Sequence, residues 1–266
     1  MQNFLNYVLC HDVCPEYATN IREAKAVCDQ AIDQISRIYG IWSDAPGDFG
    51  VAGQTLYCYD YEDASATNYY DGAVVTMDPR RAKIVFMAYV ASMDEESFTA
   101  FNKARISNTV EVVDTVEQSF EILELQEPSE DLIRLYRGVK DPATGVPGTI
   151  DPCGIAVLKP ITIQDGWDVG LSPRLSPGTE TPDNIVLNCS VMRHLLVGMK
   201  VRLVVCTLNT GIKFIKEFKE VYPSYYVFLP QELMLMYKEP VPNERPAPSA
   251  DDLDAEEAQQ NKMEKE

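Results

Sequence analysis

Apolar and polar positions along the first hundred residues recur at helical spacing. Phe4, Leu5, Val8 and Leu9 make a short apolar stripe, and Cys14-Pro15 ends it, because the residue before a proline is driven out of the helical region. This first helix starts in mid-stripe at residue 1 with no cap, as expected of a chain cut from something longer. Asn20 with Glu23 has the form of a capping box. Behind it Ile21, Ala24, Val27, Cys28, Ala31, Ile32, Ile35 and Tyr39 draw one stripe down about five turns. Ala45-Pro46 closes that helix, and Phe49 to Tyr57 fits one short helix more. The Asp-, Asn- and Ser-rich residues after Tyr59 read as a loop. Asp78-Pro79 is an N-cap followed by a proline at the first helical position, with Ile84, Val85, Met87, Ala88 and Ala91 as the apolar face. Ser92 with Glu95 predicts a second capping box, with Phe98 and Phe101 as anchors.

Past residue 107 the period changes. TVEVVDTVEQSFEILEL (109–125) is β-branched and partly alternating, which predicts strands. Its acids Glu111, Asp114, Glu117, Glu121 and Glu124 are spaced 3, 3, 4 and 3, so an acidic helix face fits as well. DPATGVPGT is a turn region, GIAVLKPITI a strand candidate, and residues 165–184 a long irregular loop with three prolines and three glycines. KVRLVVCTL and IKFIKEFKEV flank Asn209-Thr210-Gly211, a hairpin whose turn holds the required glycine. SYYVFL reads as a further strand and QELMLMY as a short helix. The pattern predicts an α+β fold: a helical part at 1–105 packed on an antiparallel β-rich part at 106–238, sharing one core because neither half is large.

Composition adds the charge. The 266 residues carry 41 acids and 23 bases, a net −18. Residues 239–266 hold nine acids, three bases and few large apolar groups, so a disordered acidic tail is expected there. Residues 111–131 hold eight acids and no base. This balance excludes a chain that coats nucleic acid through its bulk field or docks electrostatically on anionic membranes. It suits an acidic surface that meets a basic protein. Seven cysteines without framework spacing read as free thiols of a reducing compartment, hence nucleus and cytoplasm.

No catalytic site assembles by spacing. Cys10-His11-x-x-Cys14, with Cys28 as a fourth donor, has the right chemistry for zinc. The spacing lacks a second ligand pair, and Cys10 continues an apolar stripe where cysteine is a small core residue. Cys10, His11 and Cys14 are also the groups an uncharacterised thiol- or metal-dependent hydrolase would use, which is the alternative function. His194, in the apolar run SVMRHLLVGM, reads as structural. Gly47, Gly50 and Gly53 have neither the preceding strand nor the Lys-Ser/Thr pair of a phosphate loop, so a tight turn and close helix packing are expected. Asn188-Cys189-Ser190 matches a glycosylation sequon, idle in the expected compartment. Arg80, Arg81 and Lys83, with Lys213, Lys216 and Lys219, are small basic patches that read as solvated surface. Fourteen tyrosines and two tryptophans with long loops suit a scaffold that binds another protein.

LNYVLCHDVCPEY, the long helix after it and APGDFGVAGQTLY resemble the fungal Argonaute-binding subunit of the Argonaute siRNA chaperone (ARC) complex. NIVLNCSVMRHLLVGMKVRLVV, the hairpin and SYYVFLPQELM are similar as well, so the resemblance spans residues 1–238. It implies a non-enzymatic subunit that acts with Argonaute and a second chaperone-complex subunit in small-RNA silencing. Such a subunit holds Argonaute with duplex siRNA, restrains slicing and passenger-strand release, and serves heterochromatin assembly. The resemblance implies no cofactor, no metal and no catalytic residue, and contact with RNA only through Argonaute. Family members are longer at the N-terminus.

Overall fold

A computed structural model describes residues 1–58, 77–140, 145–148, 150–163 and 181–227. The loop expected after Tyr59, most of the loop at 165–184, the helix expected at QELMLMY and the acidic tail lie outside the described residues. The chain divides into two compact units, residues 1–36 with 227–266, and residues 37–226.

The first unit holds α1 (Gln2–Cys10), a 3-10 turn (Pro15–Tyr17) and the beginning of α2 (Ala18–Asp44). The turn leads straight into α2, so Asn20 and Glu23 lie inside the helix and form no capping box. The expected apolar stripe of α2 is not core either: Val27, Ile32, Ile35 and Tyr39 are exposed. Periodicity reports that a segment is helical and amphipathic; it does not supply the element that covers the stripe.

The second unit is built on a five-stranded antiparallel sheet. Its strands are β1 (Val112–Gln126), β2 (Cys153–Ile161), β3 (Asp183–Asn188), β4 (Lys200–Leu208) and β5 (Lys213–Tyr222), in the order β3-β2-β1-β4-β5. The acidic segment is therefore one long central strand, not a helix. Residues 224–227 contain no strand, so that part of SYYVFL departs from expectation. Gly211, at φ +82°, turns the chain from β4 into β5.

The sheet curls until its edge strands β3 and β5 approach each other. Lys213 Nζ on β5 meets Asp183 Oδ2 on β3 at 2.6 Å across that seam. Inside the curl lie Phe120, Ile122, Leu158, Ile185, Val201, Leu203, Ile215 and Phe218, with Met192 of α7 (Cys189–Met192) and Ile41 of α2. The other face of β3, β4 and β5 carries a second core, in which Val186, Cys206, Leu208 and Phe214 meet Phe49, Phe86 and Phe101. Each of these strands places apolar residues on both faces, so its burial does not alternate cleanly.

Phe49 belongs to α3 (Gly47–Tyr57), Phe86 to α4 (Pro79–Val90) and Phe101 to α5 (Glu95–Ile106). Phe86 stacks on Phe49 at 5.0 Å between ring centroids and meets Phe214 edge-on at 6.5 Å. Asp78 caps α4 as expected, its carboxylate accepting from the N–H groups of Arg80 and Arg81 at 2.8 and 3.2 Å. The buried face of α4 is Ala82, Val85, Phe86, Ala88 and Val90, rotated from the expected set. Ser92 is not the cap of α5: its hydroxyl donates back to Tyr89 O, and Asp94 accepts from Ser97 N at 2.9 Å instead. Asp94 offers a carboxylate at the extended backbone conformation a cap needs. A sixth helix, α6 (Glu130–Gly138), follows β1 and is capped by Ser129.

Three glycines let α3 lie flush on the sheet. A Cβ at Gly50 would stand 2.5 Å from the backbone oxygen of Ile215, and one at Gly53 would overlap the Phe214 ring. Gly47, at φ +84°, starts the helix directly after the cis Ala45-Pro46 bond. Pro46 has no side-chain oxygen to cap α3, so Asn188 of β3 does it from across the seam. Its Oδ1 accepts from Phe49 N at 2.8 Å, and its Nδ2 donates to Asp151 O at 3.0 Å. Asn188, the middle of the family-like string NIVLNCSVM, is fully buried and joins sheet to helix.

Candidate partner-binding groove

The Cys10-His11-x-x-Cys14 segment builds a helix ending and an apolar groove. Helix α1 closes with paired bonds from Asp12 N to Leu9 O (3.4 Å) and from Val13 N to Val8 O (3.1 Å). That is a Schellman ending, and Asp12 holds its left-handed position at φ +46°, a conformation Asp tolerates better than most residues. The motif brings Val13 back onto Val8. Cys14-Pro15 then starts the 3-10 turn, with Tyr17 N donating to Cys14 O at 3.0 Å, and α2 leaves at a new angle.

The opening between these pieces has a volume of about 350 Å³. Phe4, Leu5, Tyr7 and Val8 of α1 line one side, and Val13, Cys14, Tyr17 and Ile21 the other, so its walls are apolar. Phe4 is 66% exposed, Tyr7 48% and Val13 44%. Asp12, just before the second wall, and Glu16, within it, are exposed. A contiguous exposed apolar patch rimmed by polar residues is the kind of surface that interaction and ligand-binding sites use.

The tempting zinc constellation comes apart in three dimensions. Cys10 and His11 are buried, with the His11 ring packed on Tyr7 at 4.2 Å between centroids, while Cys14 turns into the groove. Among the described residues no group of three or more His, Cys, Asp or Glu side chains stands where it could hold a metal ion. His194 is structural, as expected. Its ring packs over Gly40, where a Cβ would overlap it, and its Nε2 lies 3.2 Å from Asp44 Oδ2. Arg193 donates to the same carboxylate oxygen at 2.7 Å. Burial raises the Asp44 pKa, but the hydrogen bonds of Arg193 and His194 outweigh it and hold the carboxyl below the usual range.

Three of the six residues of the basic patches are held in internal pairs. Arg81 meets Asp48 at 3.0 Å, Lys213 meets Asp183, and Lys219 meets Glu217 at 2.7 Å. The acids of β1 divide between two faces. Glu117 and Glu121 lie opposite the core residues Phe120 and Ile122, whereas Asp114 shares the parity of Phe120. Glu121 stands directly opposite Lys159 on β2 and Lys200 on β4, while Glu117 and Glu124 on the same face stand opposite Val204 and Val157. No described helix is long and apolar enough to cross a membrane.

The family model of the Argonaute siRNA chaperone (ARC) complex subunit Arb1 matches residues 1–240. The chain belongs to the Arb1 family. The comparisons with curated proteins and with solved structures return no match. The Arb1 match covers the groove, the curled sheet and the helices on it in one span, so this Arb1-family chain is a subunit of an Argonaute siRNA chaperone. Sequence reasoning took Cys10, His11 and Cys14, with Cys28, for a possible ligand set and missed the groove. The available signal was the helical spacing of Phe4 and Val8, with Val13, Tyr17 and Ile21 following at the same spacing.

Proposed function

We propose that this Arb1-family chain is the non-enzymatic Argonaute-binding subunit of its complex, and that the α1/α2 groove is where it grips Argonaute. The occupant is an apolar Argonaute segment flanked by basic residues. Apolar side chains fill the cleft, and Lys or Arg on either side meets Asp12 and Glu16. The family match, which includes every groove residue, carries this reading. In this reading the subunit works with a second chaperone-complex subunit. It holds Argonaute with duplex siRNA, restrains slicing and passenger-strand release, and so serves silencing and heterochromatin assembly in the nucleus and cytoplasm. RNA is met through Argonaute.

The test is co-purification with tagged Argonaute from fungal cells, followed by a slicing assay on the recovered complex. Phe4→Asp with Tyr7→Asp places two charges in the groove at exposed positions. Argonaute recovery should fall at least about tenfold, the equivalent of about 1.4 kcal/mol, with an unchanged circular dichroism spectrum. Undiminished recovery of Argonaute by the double variant rejects the groove as the grip. Full slicing by Argonaute saturated with the wild-type chain rejects the restraining role.

A further inference from the structure

Two thiols face each other where α3 meets the sheet. Cys58 follows α3 and ends it, its N–H donating to Gln54 O at 2.9 Å, and its side chain is exposed. Cys206 is fully buried on β4, paired with Thr115 on β1 and Phe214 on β5. The two sulfurs are 3.9 Å apart, and Thr115 Oγ1 is 3.5 Å from Cys206 Sγ. Both elements are held independently of this contact. Asn188 caps α3 and Gly50 seats it, while β4 is paired along both edges. The sulfurs are thus placed by the fold, and a side-chain rotation at the exposed Cys58 closes the roughly 2 Å that separate them from bonding distance.

We propose that Cys58 and Cys206 form a reversible intramolecular disulfide by exchange with a low-molecular-weight disulfide of the oxidised-glutathione class. The contact with Cys58, with Thr115 and Lys216 adding to it, holds the Cys206 thiol below the usual range against burial. Either sulfur can donate in the contact, and that contact and burial push Cys58 up. The exposed Cys58 loses its proton to water. The Cys58 thiolate attacks one sulfur of oxidised glutathione; that S–S bond breaks, and one glutathione leaves as thiolate and collects a proton from Cys206. The resulting Cys206 thiolate attacks the Cys58 sulfur of the mixed disulfide and expels the second glutathione, which is protonated by water. Two protein thiols and one glutathione disulfide become one protein disulfide and two glutathione thiols, with two electrons passing from protein to glutathione. The bond ties the end of α3, which lies over the seam between β3 and β5, to the strand beside β5.

The experiment uses the full chain in buffers of oxidised and reduced glutathione. Samples are quenched in acid, alkylated, digested and read by mass spectrometry. The expected result is a Cys58–Cys206 linked peptide that disappears on treatment with dithiothreitol. The thermal midpoint should rise by about 5 °C or more on oxidation, because the link closes a long loop of the unfolded chain. Cys58→Ser, at an exposed position that leaves the core intact, should give neither result. The proposal is overturned if oxidised glutathione leaves Cys58 reduced, or if Cys58 stops at the glutathione adduct without passing it to Cys206. An unchanged or lowered midpoint on oxidation overturns it too, since the bond would then not fit the folded geometry.

Discussion

Replacing Asn188 by alanine should loosen α3 from the sheet and cost about 3–4 kcal/mol. The side chain serves one buried and one half-buried backbone group, accepting from Phe49 N at 2.8 Å and donating to Asp151 O at 3.0 Å. Phe49 is the third residue of α3, one of the N–H groups that no helix satisfies internally, and Pro46 has no side-chain oxygen to replace Asn188. Losing a cap costs about 1 kcal/mol, and a half-buried backbone carbonyl left without its donor about 1–3 kcal/mol more. The vacated volume in a fully buried site adds to both. Against a domain stability of about 5–15 kcal/mol this is a large fraction. Urea unfolding followed by circular dichroism reads it directly. With a slope of about 2 kcal/mol per molar, the midpoint should fall by roughly 1.5–2 M at unchanged slope. Asn188→Asp keeps the acceptor for Phe49 but turns an oxygen toward Asp151 O and buries a charge, so it should be at least as damaging. A fall of less than about 0.3 M for Asn188→Ala would refute the claim that this side chain docks helix to sheet.

Gly50→Ala should destabilise the chain by about 2–3 kcal/mol, read as a lower thermal midpoint. Its Cβ would stand 2.5 Å from a paired strand's backbone oxygen, which cannot move aside. Glu117→Gln with Glu124→Gln should slow association with Argonaute a few-fold at low salt and not at high salt. Asp114→Asn, on the other face of β1, should leave the rate unchanged in the same stopped-flow measurement. Asp44 gives a pH dependence whose sign follows from its lowered pKa. A depressed carboxyl contributes stability that is complete above the unfolded value, about 3.9, and is lost as pH falls through the folded value. Unfolding free energy measured from pH 5 downward should therefore drop below about pH 4, and Asp44→Asn should flatten that part of the curve; equal slopes for the two proteins would contradict the assignment.

Where a local interaction decides the backbone, the sequence was a sufficient guide. Asp78-Pro79 starts a helix because a carboxylate and a fixed φ act within three residues. Asn209-Thr210-Gly211 turns a hairpin because Gly211 tolerates a positive φ. The β-branched run from Val112 to Gln126 is a strand although its acids also fit a helical period. Cross-strand pairing with β2 and β4 buries Phe120 and Ile122, and that burial outweighs the charge spacing. The cap of α5 was harder. Ser92 has the capping-box pattern with Glu95, yet Asp94, two residues on, takes the role because the backbone is extended there.

By itself, the sequence determined the first five helices, the strands β1, β2, β4 and β5, the acidity, the hairpin and the family. Each of these is written in residue types and short spacings. Only the tertiary structure decided that the stripe of α2 stays exposed and that α1 and the turn after it enclose an apolar groove. It also decided that Asn188 caps a helix 139 residues earlier in the chain and that Cys58 meets Cys206 across 148 residues. These features depend on which surfaces meet, and a residue's periodicity says nothing of what lies opposite it. The HDVCPEY string shows the difference within seven residues. Its Cys and His suggested ligands by type, yet the left-handed turn at Asp12 buries the His11 ring against Tyr7 and sends Cys14 into the groove.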